Sequence, residues 1–302
     1  MRLSCRTIER SKYMSELTTI NTNNFAEMAK AMGMANDTTA KKGMFLSRLR
    51  IQHKAILGAE SILVKAGTYK LEIPDGPTHY AESAVIRPFL QRYMYKKFVM
   101  GQGGSPNRYV KTVMADNLNI DLKDDDGGFN CGKPAGWIQD YNALPQKDKD
   151  LIKSIKRVRV VFGAIHLVNP KDENGKPVEE TTSNFIWEVE NKEAFKTVGG
   201  IFTQLGKMKR LPPQHNVTLN TELRKIPSGN DYYVPSPSLD ITNSIEITDE
   251  DQLLFGEFMG WLQNYNEYII NKWAEKSSKV EDDEDFDMQL NDIIDIEEDE
   301  VA

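Results

Sequence analysis

The chain has 302 residues, 39% hydrophobic and 27% charged, with a formal net charge of −7. This length suits one large domain or two modest ones with a real core, and no run nears the roughly 18 apolar residues of a membrane span. Two cysteines, Cys5 and Cys131, and four scattered histidines exclude a disulfide scaffold and any recognisable zinc spacing, and fit a reducing, cytoplasmic setting.

The net charge conceals an asymmetry. From Glu281 onward there are 12 Asp and Glu and no Lys or Arg, which leaves 38 basic against 33 acidic residues before it, a formal charge of +5. A mildly basic body with a strongly acidic end points to a nucleic-acid surface or an interaction tail.

In chain order, residues 1–13 are basic without a long apolar core, so no secretory signal is expected. They read as an extension without a structural role, ahead of Met14. Residues 14–43, rich in Asn, Thr, Ala and Met, read as a flexible arm with a short helical pattern at Phe25, Met28, Ala29 and Met32. The packed body is expected from Met44. FLSRLRIQHKAIL reads as a strand, and GTYKLEIPDGPTHYAESAVIRPF as a hairpin turning at Pro74-Asp75-Gly76-Pro77. FLQRYMYKKFVM and RYVKTVMA interleave aromatic and basic residues on further strands. After a long polar loop and a helix opening at Leu144-Pro145, KSIKRVRVVFGAIHLV reads as a central strand. There Val158, Val160 and Phe162 alternate with Arg157, Arg159 and Val161, an apolar face backing a basic one, and Gly163 marks a bulge or a close backbone approach. NFIWEVE is another strand, and the next helix stops at Pro212-Pro213. The strongest helix follows Thr248, an N-cap with Asp251 three residues on, and carries Leu254, Phe258, Trp261, Leu262, Tyr265 and Ile269 on one face. From Glu281 the composition predicts disorder, with Phe286, Leu290 and Ile293 among its apolar residues.

Catalytic and metal motifs do not emerge. GQGGSPN lacks the Lys-Ser/Thr of a phosphate loop. Aligning DLKDDDGG to a calcium loop places Leu122 at the first ligand position and Lys133 where the closing Glu belongs. No GxSxG or HExxH occurs, Cys131 reads as a small buried residue, and no cofactor is expected. What remains is a binding pattern. Sequence-tolerant binders of single strands combine a basic groove that tracks phosphates with aromatic faces on which bases stack, each stack worth about 1–3 kcal/mol. The candidates are Arg92, Tyr93, Tyr95, Lys96, Arg108, Lys111, Trp137, Tyr141, Lys156, Arg157 and Arg159.

The segment GWIQDYNALPQKDKDLIKSIKRVRVVFGAIHLV, followed by NFIWEVE, the KMKRLPP region and the acidic end, resembles phage single-stranded-DNA-binding proteins. The likeness covers roughly residues 44–302 through loose patterns. It implies an OB-type barrel that coats exposed strands during replication and recombination in the host cytoplasm, with an acidic tail that contacts replication proteins. Many such tails end in an aromatic residue, whereas this chain ends in Val301-Ala302.

The expected architecture is therefore α+β: an arm over residues 1–43, an OB-like, β-rich body over 44–276 with insertions and a long C-terminal helix, and a disordered acidic tail over 277–302. The expected activity is non-sequence-specific single-stranded-DNA binding without catalysis, the tail competing for the groove. Two rivals differ in class. A structural or scaffolding phage protein would scatter its surface charge. A metal-dependent nuclease would converge Asp116, Asp121 or Asp124 to Asp126 on one site.

Overall fold

The computed structural model describes residues 44–297 apart from 102, 103, 105, 137, 180, 226–228 and 230, and describes the side chains of the last helix as far as residue 278. The arm of residues 1–43 and the last five residues lie outside the described residues.

Eleven strands and three helices follow one another: β1 (Ser47–Gln52), β2 (Ile56–Leu57), β3 (Ile62–Val64), β4 (Thr68–Glu72), β5 (Thr78–Ala81), β6 (Ser83–Val99), β7 (Arg108–Lys111), α1 (Gln146–Ser154), β8 (Ile155–Val168), β9 (Thr181–Val189), α2 (Lys192–Lys207), β10 (Val217–Lys225), β11 (Asp231–Leu239) and α3 (Asp249–Glu297), counted among the described residues. Nine strands form one mixed sheet in the order β11-β10-β6-β8-β9-β1-β4-β5, with β7 also on β6, and β2 pairs β3 separately. All pairs are antiparallel except β1 with β9. The 17-residue β6 gives one edge to β8 along its length and shares the other between β10 near its start and β7 near its end. At Gly163 the register shifts between Pro88 and Leu90, and an added side chain would crowd the Arg87 carbonyl and stand 3.0 Å from the Pro88 Cα.

The expected OB-like barrel is not what forms. Among the described residues no pairing joins the end strands β11 and β5, so the sheet is open. The reason lies in β8 and β9, which are apolar on both faces rather than one. Val158, Val160 and Phe162 with Ile186 look one way, into a cluster with Phe258 and Leu262 of α3. Val161, Ile165 and Leu167 with Phe185 and Trp187 look the other way, into a cluster with Ala194, Val198, Ile201 and Leu205 of α2. A barrel has a single interior, but strands buried on both faces belong to a sheet covered on both sides.

Helix α2 is capped by the Asn191 side chain, which accepts hydrogen bonds from the Glu193 and Ala194 amides. Helix α3 opens as the sequence predicts: the Asp251 amide donates to the Thr248 hydroxyl at 3.3 Å, and the Thr248 amide donates back to the Asp251 carboxylate at 3.0 Å. Phe258, fully buried between Phe89 and Phe162, anchors its apolar face. The helix runs on to Glu297, into the stretch for which disorder is expected.

Candidate nucleic-acid interface

The β6–β8 pairing sorts the candidate cations by parity, because directly opposed residues share a face. On the α3 side, Arg92, Met94 and Lys96 oppose Val160, Val158 and Lys156, and Lys111 of β7 opposes Lys96. Every candidate cation on this side has a carboxylate partner. Lys96 Nζ donates to Glu188 at 2.8 Å and to Glu190 at 2.5 Å, Lys111 to Glu188 at 2.9 Å, and Lys156 to Glu190 at 2.8 Å. Arg92 pairs with Asp116 at 3.1 Å. Burial works to raise the Glu188 carboxyl, but Lys111 and Lys96 outweigh it and hold the group below its ordinary value. Glu190 is held low in the same way by Lys156 and Lys96. Charges neutralised at this range leave little field for a polyanion.

On the α2 side, Tyr93 opposes Arg159, Tyr95 opposes Arg157 and Lys97 opposes Ile155. Arg159 is buried. Its guanidinium lies 4.6 Å from the centroid of Phe195 and 5.0 Å from that of Tyr93, and Nη1 donates to the Tyr93 hydroxyl at 3.0 Å and to the Gln91 carbonyl oxygen. Nε donates to the Phe195 carbonyl at 3.3 Å. Burial pulls the guanidinium below its ordinary value. Arg157 is exposed and makes no ion pair among the described residues. Beside it stands Lys133, its ammonium 5.3 Å from the Tyr95 ring centroid; burial, then the like charge of Arg157, lowers its pKa. Lys97 reaches only the Cys131 carbonyl, at 3.3 Å. Arg159, Arg157, Lys133 and Lys97 thus form a stripe in which, among the described residues, no cation has a carboxylate partner.

The other candidates lie apart from this stripe. Tyr95 is 1% exposed and donates its hydroxyl to the Leu118 carbonyl at 3.2 Å, so its ring is core and offers no face for a base. Arg108 pairs with Asp126, which also holds Lys276 at 2.7 Å and so ties the loop to α3. The Tyr141 hydroxyl reaches the Lys149 carbonyl at 3.5 Å, a local contact. Trp137 lies outside the described residues. Lys97 and Lys133 belong to the stripe although the sequence reading passes over them. Lys97 continues the same alternation as Tyr93 and Tyr95, which is a visible signal, whereas Lys133 arrives from a loop with no periodicity to mark it.

The acidic turn is occupied by its own backbone. Asp124 accepts hydrogen bonds from the Asp126, Gly128 and Cys131 amides, Asp125 from the Lys111 amide, and Asp121 from the Asn130 side chain. Among the described residues no group of three or more His, Cys, Asp or Glu is placed to hold a metal ion. Likewise, no helix among them is long and apolar enough to cross a membrane. Comparison of the chain with protein-family models, with curated proteins and with solved structures finds no match.

Proposed function

We propose that this protein is a non-enzymatic binder of single-stranded DNA in the cytoplasm, gripping the strand without sequence preference along the Arg159–Arg157–Lys133–Lys97 stripe. The observation that carries the reading is the contrast between the faces of one strand pair. The cations on the α3 side are matched to Glu188, Glu190 and Asp116, while those on the α2 side face solvent or ring faces without a counter-charge. Like charges crowd together at a cost, which a polyanion relieves. Half-buried Tyr93, packed 5.9 Å from Phe195 between ring centroids, supplies an aromatic edge beside the stripe.

The resemblance to phage single-stranded-DNA-binding proteins adds the wider role: coating strands in replication and recombination, with the acidic end contacting replication proteins. The open sheet removes the OB barrel from that resemblance and leaves the charge plan. The scaffolding alternative lacks a comparable observation, since its scattered charge is not what the two faces of β6 and β8 carry.

The direct test is fluorescence anisotropy of the full chain with labelled oligo-dT and with duplex DNA across a salt series. Tight binding of oligo-dT, weaker binding of duplex, and a linear fall of log affinity with log salt are the expected result. No binding of oligo-dT at low salt would overturn the reading.

A further inference from the structure

Helix α2 carries two adjacent glycines in its middle, Gly199 and Gly200, where each weakens the helix relative to alanine. Gly199 has a packing reason. A side chain there would stand 2.8 Å from Cζ of Arg159 and closer still to Nη2. The guanidinium thus fills the room that the missing side chain leaves. Gly200 has no such reason: nothing lies within 4 Å of where its Cβ would stand, and the residue is exposed.

Both glycines line an open groove of about 510 Å³ along the flank of α2, with Arg159 at its floor and Lys196 and Lys207 near its ends. No lining residue is acidic. Arg159 spends Nε and Nη1 on Phe195, Gln91 and Tyr93, and Nη2 takes no hydrogen-bond partner among the described residues. Lys196 and Lys207 are exposed and have no ion pair there. Along the helix they are eleven residues apart, roughly 16 Å at 1.5 Å per residue. That is too far for both to hold one small anion and suits a chain of anionic groups passing over Arg159.

We propose that this groove is a phosphate track: one phosphate oxygen accepts from Arg159 Nη2 at the Gly199–Gly200 notch, and Lys196 and Lys207 meet the negative charges on either side. The occupant is the phosphodiester backbone of a single strand. The proposal rests on the single-strand reading for that occupant, because Arg159 belongs to both the stripe and the groove. Recognition of linked phosphates at the notch can be measured without it. An arginine fork held in place by Tyr93 and Gln91 is preorganised for a phosphate oxygen, so little entropy is lost on binding.

The test is isothermal titration of the full chain with sodium tripolyphosphate and, separately, with oligo-dT and an abasic deoxyribose-phosphate oligomer of equal length. Four proteins are compared: wild type, Gly199→Ala, Gly200→Ala and Gly200→Glu. Gly200→Glu puts a carboxylate into open space in the groove, where no core is disturbed, and should weaken tripolyphosphate binding roughly tenfold or more by opposing charge. Gly200→Ala should bind as wild type does, and Gly199→Ala, which displaces the guanidinium, should weaken binding. The abasic oligomer should lose affinity in Gly200→Glu in parallel with oligo-dT.

The track is overturned if wild type does not bind tripolyphosphate, or if Gly200→Glu binds tripolyphosphate and oligo-dT as wild type does. Oligo-dT binding that is indifferent to Gly200→Glu would leave the stripe reading intact while removing the track. Tripolyphosphate binding lost in Gly200→Glu, with no oligo-dT binding by wild type, would keep a phosphate-chain groove and overturn the single-strand reading and its occupant.

Discussion

Arg159 and Tyr93 face each other across the β6–β8 pair, and the arginine donates to the tyrosine hydroxyl at 3.0 Å with its plane against the ring. Two residues that read as separate contacts for a ligand are therefore one assembly. Tyr93 and Gln91 orient the guanidinium, Phe195 covers it, and a single nitrogen is left to face outward beside Gly199. An arginine held by neutral partners keeps its full charge for a ligand, unlike Lys96, whose charge is spent on Glu188 and Glu190.

The joint between sheet and long helix depends on Phe258. It is fully buried against Phe89 and Phe162, so Phe258→Ala should cost about 3–5 kcal/mol. Urea unfolding monitored by circular dichroism should show a lower midpoint with little change in slope. A loss below about 1 kcal/mol would mean that α3 does not pack as described.

Acid should weaken the fold within a defined window. The hydrogen bonds from Arg87, at 2.7 and 2.8 Å, hold the Asp251 carboxyl below its ordinary 3.8. Glu188 and Glu190, buried but overcompensated by their lysines, lie below 4.5. Groups whose folded values are depressed stabilise the fold above their unfolded values, and that contribution is lost as pH falls through the folded ones. Asp125, raised by burial, works the other way, one group against three. Tm should therefore hold near pH 6 and fall steadily as pH drops from about 5 to 3; a flat or rising Tm over that range would contradict the buried network.

Cys131 should be inert in the folded protein. Burial, then the charge of Asp124, pushes its thiol up to about 12, and the residue is 3% exposed. The thiolate is the reactive form. Iodoacetamide at pH 8, followed by peptide mass spectrometry, should leave Cys131 unmodified until denaturant is added. Rapid modification of native protein at that residue would be the contrary result.

Removing the acidic end should strengthen DNA binding. A chain ending at Val280 loses 12 carboxylates and no cation, so its affinity for oligo-dT should rise at low salt and the gain should fade as salt screens the field. Equal affinities with and without these residues would remove the competing role of the tail.

The parts of this fold that the sequence makes legible are those decided locally. Thr248 and Asp251 announce the start of α3, and the spacing from Leu254 to Ile269 announces the face that packs. The turn at Pro74-Asp75-Gly76 announces the β4–β5 hairpin, with Asp75 at a φ of 55°. What misleads is the alternation in β8. It pairs Val161 with Arg157 and Arg159 on the face read as solvated, yet Val161 is fully buried and Arg159 nearly so. The covering helix begins more than thirty residues later, and nothing in the strand records it. Tyr95 is lost to the core for a similar reason: the loop through Leu118, Leu122 and Cys131 folds over it. The candidate cations all look alike in sequence. Only the registers of β6, β7 and β8 separate those that meet glutamates from those that do not.

That separation is the central claim, and one comparison tests it most directly. Oligo-dT affinity is measured across a salt series for wild type, for Arg157→Gln with Lys133→Gln, and for Lys156→Gln. The double variant removes cations without carboxylate partners, and Lys156→Gln removes one already paired with Glu190. The account predicts at least a roughly tenfold loss for the double variant and a salt slope shallower by about 0.7 per phosphate contact removed, with Lys156→Gln within about twofold of wild type. Equal losses in both variants, or no loss in the double variant, would contradict it.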